Sequence, residues 1–149
     1  MAERYHQLKN LKEQDLFQPE IISDYFFIKS KLFAQNNLQH DELQLFNSLF
    51  DIMFSSLLKP DLVLYLYADI VRLKKNIKKR GRNFEQNISA VYLQDIQEKY
   101  LDYLRKQDDF VVLVLDITAV DFVADKHVYE HIKKLIMSPY EKGMHHQVL

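Results

Sequence analysis

The sequence predicts an α/β fold: a parallel sheet of about three strands, rich in helix, with helices on both faces. Three observations predict it. Two runs, "DLVLYLYA" (Asp61–Ala68) and "FVVLVLDI" (Phe110–Ile117), are continuously apolar and rich in Val, Leu and Tyr, the composition of strands covered on both faces. The residues between them carry helical periodicity, and the order strand, helix, strand is what a parallel crossover needs. Only two glycines and three prolines interrupt 149 residues, so the elements are long and regular and form one domain over residues 1–149.

In chain order, Ala2 to about Glu13 reads as a polar helix that begins without the Ser, Thr, Asp or Asn that ordinarily precedes one. "IISDYFF" (Ile21–Phe27), short, apolar and aromatic after Pro19, reads as a buried strand running into a loop. "KSKLFAQNNL" adds a helical turn or two. Asp41 is the expected N-cap of a helix that reaches Leu58. Its apolar residues, Leu43, Leu45, Phe46, Leu49, Phe50, Ile52, Met53, Phe54 and Leu57, cover far more than one stripe. Such a helix is buried on most sides, in the core or against a second copy of the chain.

Asp69 to Lys79 is a helix with Ile70, Leu73 and Ile77 inward and Lys74, Lys75, Lys78 and Lys79 outward. Ile88 to about Lys106 follows, using Val91, Tyr92, Ile96, Tyr100, Tyr103 and Leu104, and a last helix runs from about Lys126 to Met137. The polar tail after Gly143, with His145-His146, is expected to be disordered.

Composition narrows the function. Twenty cations against 21 anions exclude a general nucleic-acid electrostatics, so charge acts locally if it acts. The absence of cysteine excludes disulfides, thiolate metal sites and a thiol nucleophile, and fits a cytoplasmic protein. No apolar run has the length of a membrane span, and "MAERYHQLKN" is not a secretory signal. His127 and His131, at i and i+4, have the one metal-like spacing but no third ligand nearby, and read as solvated helix surface.

One stretch concentrates charge. "IKKRGRNFEQN" (Ile77–Asn87) holds four cations, one carboxylate and one of the two glycines. A guanidinium fork matches phosphate oxygens and stays charged when desolvated, so Arg80-Gly81-Arg82 places two such forks on either side of a hinge. A second explanation is open. Cations stabilise a helix C-terminus, and Lys78, Lys79 and Arg80 could satisfy the last turn with Gly81 just beyond it. That explanation leaves out Arg82 and Glu85.

The longer segment "KPDLVLYLYADIVRLKKNIKKRGRNFEQNISAVYLQDIQEKYLDYL" resembles the deoxynucleoside kinase family, P-loop enzymes related in fold to thymidylate kinase. The resembling features are a "PDL" strand ending in "YL", a helix, an "RGR" joint with a glutamate three residues on, and a second helix. The similarity extends through "AERYHQLKN", "ISDYFF" and "KSKLFA" upstream and "VLDITAVDFVAD" downstream, essentially the whole chain. It implies a P-loop-kinase-like sheet, of which this chain would be the C-terminal three quarters. It also implies transfer of the ATP γ-phosphoryl group, with Mg²⁺, to the 5′-hydroxyl of a deoxynucleoside.

By the same resemblance Arg80 and Arg82 are catalytic lid arginines over the donor phosphates, and Glu85 holds the sugar 3′-hydroxyl. Asp121-Phe122 lies in the loop around the donor base. Asn76 stands where the family often has a further lid arginine. Ser23-Asp24-Tyr25 replaces an acid-arginine-serine sequence, leaving Asp24 to bind a hydroxyl or magnesium.

The P-loop itself, G-x-x-x-x-G-K-[ST], is not among these 149 residues, since neither Gly81 nor Gly143 has the spacing. In the family it would precede "AERYHQLKN", as would a catalytic glutamate, and the uncapped start resembles the family entered partway down a long helix. The chain alone is therefore expected to be inactive. Its Ile21–Phe27 and Asp61–Tyr67 strands would face a gap, favouring self-association into a homodimer through the 41–58 helix. The alternative is a non-catalytic kinase remnant acting only through dimerisation. A third possibility is one domain of a larger polypeptide, as with similar kinase domains fused to a pterin pyrophosphokinase.

Overall fold

The computed structural model describes residues 2–10 and 20–149. The chain divides into two compact units, residues 1–59 and 60–149.

The first unit is helical: α1 (Ala2–Asn10), α2 (Ile28–Asn37) and α3 (His40–Phe54). Any continuation of α1 toward Glu13 lies outside the described residues. The unit's core is aromatic. Phe27 and Phe50 are 2 % and 1 % exposed and stack at 5.0 Å. Phe54, one turn beyond Phe50, stacks on it at 5.4 Å, since residues at i and i+4 share a helix face. Ile28 and Leu32 of α2 are buried beside them in sequence.

Two expectations are corrected here. Ile21–Phe27 is not a strand. Ile22 is almost fully exposed, and the Ser23 hydroxyl bends the chain by accepting from Tyr25 N–H at 3.2 Å. The aromatic residues lead into α2, where ring packing between helices outweighs an extended pairing. Residues 21–27 therefore supply no strand to border a gap, and among the described residues the 62–67 strand is a sheet edge that pairs only with the 111–116 strand. Nor is Asp41 the cap of α3. The helix begins at His40 with Gln39 as N-cap, and the Gln39 N–H donates to Glu42 Oε2 at 3.3 Å. Asp41 sits in the first turn, where a carboxylate favours the positive helix end.

The second unit carries the sheet. Strands β1 (Leu62–Tyr67), β2 (Val111–Asp116) and β3 (Gly143–Val148) lie in the order β1-β2-β3, all parallel. The register pairs Leu62 with Val111 and Val111 with Gly143. The central strand is the core: Val112 to Leu115 are at most 1 % exposed. Alternation sends Leu113 and Leu115 to one face, where they pack on Ile132 of α6 (Lys126–Ile136) with Leu64, Val128 and Leu135 around them. On the other face, Tyr100 of α5 (Ala90–Arg105) stacks on Tyr65 at 5.6 Å. Helices therefore cover both faces, as predicted.

The third strand is not where sequence placed it. The 143–148 segment, expected as a disordered tail, is β3. Gly143 N–H donates to Phe110 O and Leu149 N–H to Asp116 O, both at 3.1 Å, so the open edge of β2 orders it from end to end. Gly143 enters the strand at φ +110°, a conformation that suits glycine. The His145 ring lies 4.9 Å from that of Tyr140.

Candidate active site

Helix α4 (Ile70–Arg80) begins where Asp69 Oδ1 accepts from Arg72 N–H at 2.6 Å. It ends at Gly81, in the left-handed region at φ 71°, ψ 16°, with its N–H donating to Ile77 O at 3.3 Å. Arg82 is extended, a short 3₁₀ turn covers Asn83–Glu85, and the Ser89 hydroxyl then caps α5 by accepting from Tyr92 N–H at 3.1 Å.

This path folds three of the predicted residues together. Arg80 Nη1 lies 3.5 Å from Glu85 Oε2 and Arg82 Nη1 lies 3.2 Å from Glu85 Oε1. The two guanidinium groups reach the carboxylate from opposite sides of Gly81. They are more than half exposed, whereas the Glu85 side chain is 14 % exposed. Glu85 Oε2 is closed to solvent and accepts no hydrogen bond. A buried acceptor without a donor costs on the order of 1–3 kcal/mol, so this oxygen suits a hydroxyl donor. Asn76 is exposed on α4.

Gln86 was not anticipated. Its side-chain amide donates to Ile77 O and to Arg82 O, both at 3.2 Å, tying the end of α4 to the far side of the joint. Nothing in sequence marks one glutamine among several; the bond spans nine residues across a turn. Lys74, Lys75, Ile77 and Lys78 line a groove of about 440 Å³ with Glu85, Gln86 and Ile88.

The other predicted pair lies near the start of α4. Arg72 Nη2 donates to Val120 O at 3.1 Å, and Asp69 N–H donates to Thr118 Oγ1 at 3.0 Å. These bonds fasten α4 to the loop beyond β2, where ligands of parallel sheets commonly bind. In that loop Asp121 Oδ1 accepts from Val123 and Ala124 N–H at 3.2 and 3.3 Å. Phe122 packs on the Leu115–Ile132 cluster. Both residues shape the loop. Arg72 and Arg80, eight residues apart, are separated by about 12 Å along the helix, so α4 links loop and joint. Asp24 is exposed in the first unit.

Two phenols behind the sheet stay neutral. Burial, with Tyr67 nearby, pushes the Tyr65 hydroxyl up to about 12, offset in part by a hydrogen bond to Gln97. Burial, then Asp109, pushes Tyr103 up to about 12. Among the described residues no three His, Asp or Glu side chains cluster as a metal site, and no helix is long and apolar enough to cross a membrane. His127 and His131 are exposed.

A parallel sheet with helices on both faces, its first crossover carrying an arginine-rich joint, is an α/β fold of the P-loop-kinase kind. The sequence matches the family described as deoxynucleoside kinase over residues 1–139. It is 30 % identical over 146 residues to a deoxyguanosine kinase of Bacillus subtilis (strain 168), covering 92 % of this chain and 70 % of that protein. It is 26 % identical over 143 residues to a deoxyadenosine/deoxycytidine kinase of the same organism, covering 93 % and 66 %. A third relative, 24 % identical over 128 residues, is the bovine mitochondrial NADH dehydrogenase [ubiquinone] 1 alpha subcomplex subunit 10, with 86 % and 36 % covered. The chain belongs to the deoxynucleoside kinase family. It spans about two thirds of the length of the two bacterial kinases.

Proposed function

We propose that this chain takes part in transfer of the ATP γ-phosphoryl group to the 5′-hydroxyl of a deoxynucleoside, with the Arg80–Glu85 joint as its lid. The observation that carries the proposal is the convergence of two exposed guanidinium groups on one nearly buried carboxylate. ATP with Mg²⁺ supplies the phosphoryl group and a divalent charge. Arg80 and Arg82 bind phosphate oxygens and stabilise the charge that develops in transfer, a reaction in which positioning and electrostatics do most of the catalysis. Glu85 accepts from the sugar 3′-hydroxyl. Asp24 would bind a hydroxyl or the magnesium ion, and Asp121 and Phe122 hold the loop that frames the donor base.

The relatives' names point to guanine, adenine or cytosine deoxynucleosides as substrates. The setting is the cytoplasm and the assembly a homodimer through residues 41–58, without nucleic acid. Leu45, Leu49 and Ile52 support that assembly: they are 65 %, 48 % and 70 % exposed on one face of α3.

Isothermal titration with Mg·ATP and a panel of deoxynucleosides tests the reading. Binding of ATP, weakened about ten-fold or more by Arg80→Ala or Arg82→Ala, is the expected result. A folded chain that binds neither ligand refutes it.

A second reading is a non-catalytic family member that acts through dimerisation. The open stripe on α3 favours it, as does a relative whose name makes it a subunit of a larger enzyme. A dimer that binds neither ATP nor nucleosides would select this reading.

A further inference from the structure

The pairing at the joint has a consequence for the order of binding. A carboxylate offers guanidinium groups the same bidentate acceptor edge as a phosphate, and Glu85 occupies both lid arginines at once, at 3.2 and 3.5 Å. The two contacts differ. Oε1 accepts a hydrogen bond from Arg82, whereas Oε2 faces Arg80 at 3.5 Å without one and is closed to solvent. The Arg80 contact is thus the weaker and the first to be displaced. A hydroxyl that donates to Oε2 replaces an ion pair lacking a hydrogen bond with a charge-assisted one, and it competes with Arg80 for the same oxygen.

We propose that Glu85 is the latch of its own lid: it neutralises Arg80 and Arg82 until a sugar 3′-hydroxyl engages its carboxylate, which releases Arg80 to bind phosphate. The proposal rests on the phosphate and sugar roles given above and adds the coupling between them. Coupling of this kind is reciprocal, so phosphate that captures the arginines also frees Glu85 for the sugar. The ligand class follows. Nucleosides with a free 3′-hydroxyl open the latch, and 2′,3′-dideoxynucleosides leave it closed. Gln86 is the positioning residue, because its two bonds to Ile77 O and Arg82 O keep both arginines within reach of one carboxylate.

The test is titration of the full chain with inorganic tripolyphosphate, alone and with deoxyguanosine or 2′,3′-dideoxyguanosine at concentrations that saturate the protein. Opening the one part-exposed Arg80 pair corresponds to roughly two- to five-fold in affinity. Deoxyguanosine should tighten tripolyphosphate binding by that factor, and dideoxyguanosine should not. Glu85→Gln, isosteric and uncharged, should bind tripolyphosphate tightly from the outset and lose the response. The wild-type comparison of the two nucleosides stands without the variant. Tripolyphosphate binding that ignores deoxyguanosine overturns the latch and leaves the phosphate role intact. Failure of both wild type and Glu85→Gln to bind tripolyphosphate overturns the phosphate role and the latch with it.

Discussion

Replacing Gly81 with alanine separates the backbone's part in the joint from that of the charges. Gly81 is left-handed at φ 71°, ψ 16°, a region where a Cβ costs about 1–2 kcal/mol. A Cβ built there meets nothing within 4 Å, so no packing strain adds to the backbone cost and nothing repays it. The expected loss for Gly81→Ala is therefore about 1 kcal/mol, roughly five-fold in the unfolding equilibrium. Asparagine tolerates this region better than alanine, so Gly81→Asn should lose about half as much. Urea unfolding would read the difference as a midpoint shift of roughly 0.3–1 M at unchanged slope. The variant should also bind tripolyphosphate more weakly, since Arg80 and Arg82 no longer leave the turn in matched directions. An alanine variant as stable as wild type, or an asparagine variant as costly as alanine, would refute the left-handed joint.

Three further outcomes are expected. Ile132→Ala removes the α6 contact with Leu113 and Leu115 at a site 6 % exposed and should cost about 2–4 kcal/mol in thermal or urea unfolding. Alkaline stability should fall between pH 10 and about 12. Tyr65 and Tyr103 are raised to about 12 when folded, against 10 in the unfolded chain. Their contribution is full below pH 10 and lost as pH rises through about 12, up to about 2–3 kcal/mol for Tyr65; Tyr65→Phe should flatten the decline in an unfolding series. The substitutions Leu45→Ser, Leu49→Ser and Ile52→Ser together should convert a dimer to a monomer in sedimentation without loss of helix content, because all three side chains are exposed on α3.

Sequence carried the elements whose cause is local. The two apolar runs became β1 and β2, and α4 kept its lysines outward, because burial on both faces and helical spacing write themselves into composition. The misplaced third strand shows where local reading stops. "IISDYFF" has the aromatic and β-branched residues of a strand, yet its rings serve a helix pair, with Phe27 against Phe50. "GMHHQV" has little of that character, yet it is β3 because the neighbouring edge of β2 supplies its partners; strand propensity yields to such context. At the site, Arg80, Arg82 and Glu85 were legible as residue types at a short spacing. Arg72 and Gln86 were not, since their partners lie 48 and nine residues away and depend on the chain's path.

The charge at "IKKRGRNFEQN" had two explanations, satisfaction of a helix end or recognition of phosphate, and the bonding at the joint bears on the choice. A helix end needs donors for its last carbonyls. Here the Ile77 carbonyl, at the end of the helix's own ladder, accepts from the Gly81 N–H and the Gln86 amide, both neutral donors. Among the described residues, Lys74, Lys75, Lys78 and Lys79 make no ion pair, and Arg80 and Arg82 share one carboxylate. The cations from Lys74 to Arg82 outnumber the one glutamate that pairs with them, which offsets only part of the surplus. Like charges at this spacing repel, so the cluster costs stability in the free chain. An anion of more than one charge, seated along the groove from Lys74 to Gln86, would relieve that repulsion, and a polyphosphate has both the charge and the oxygen geometry to do so.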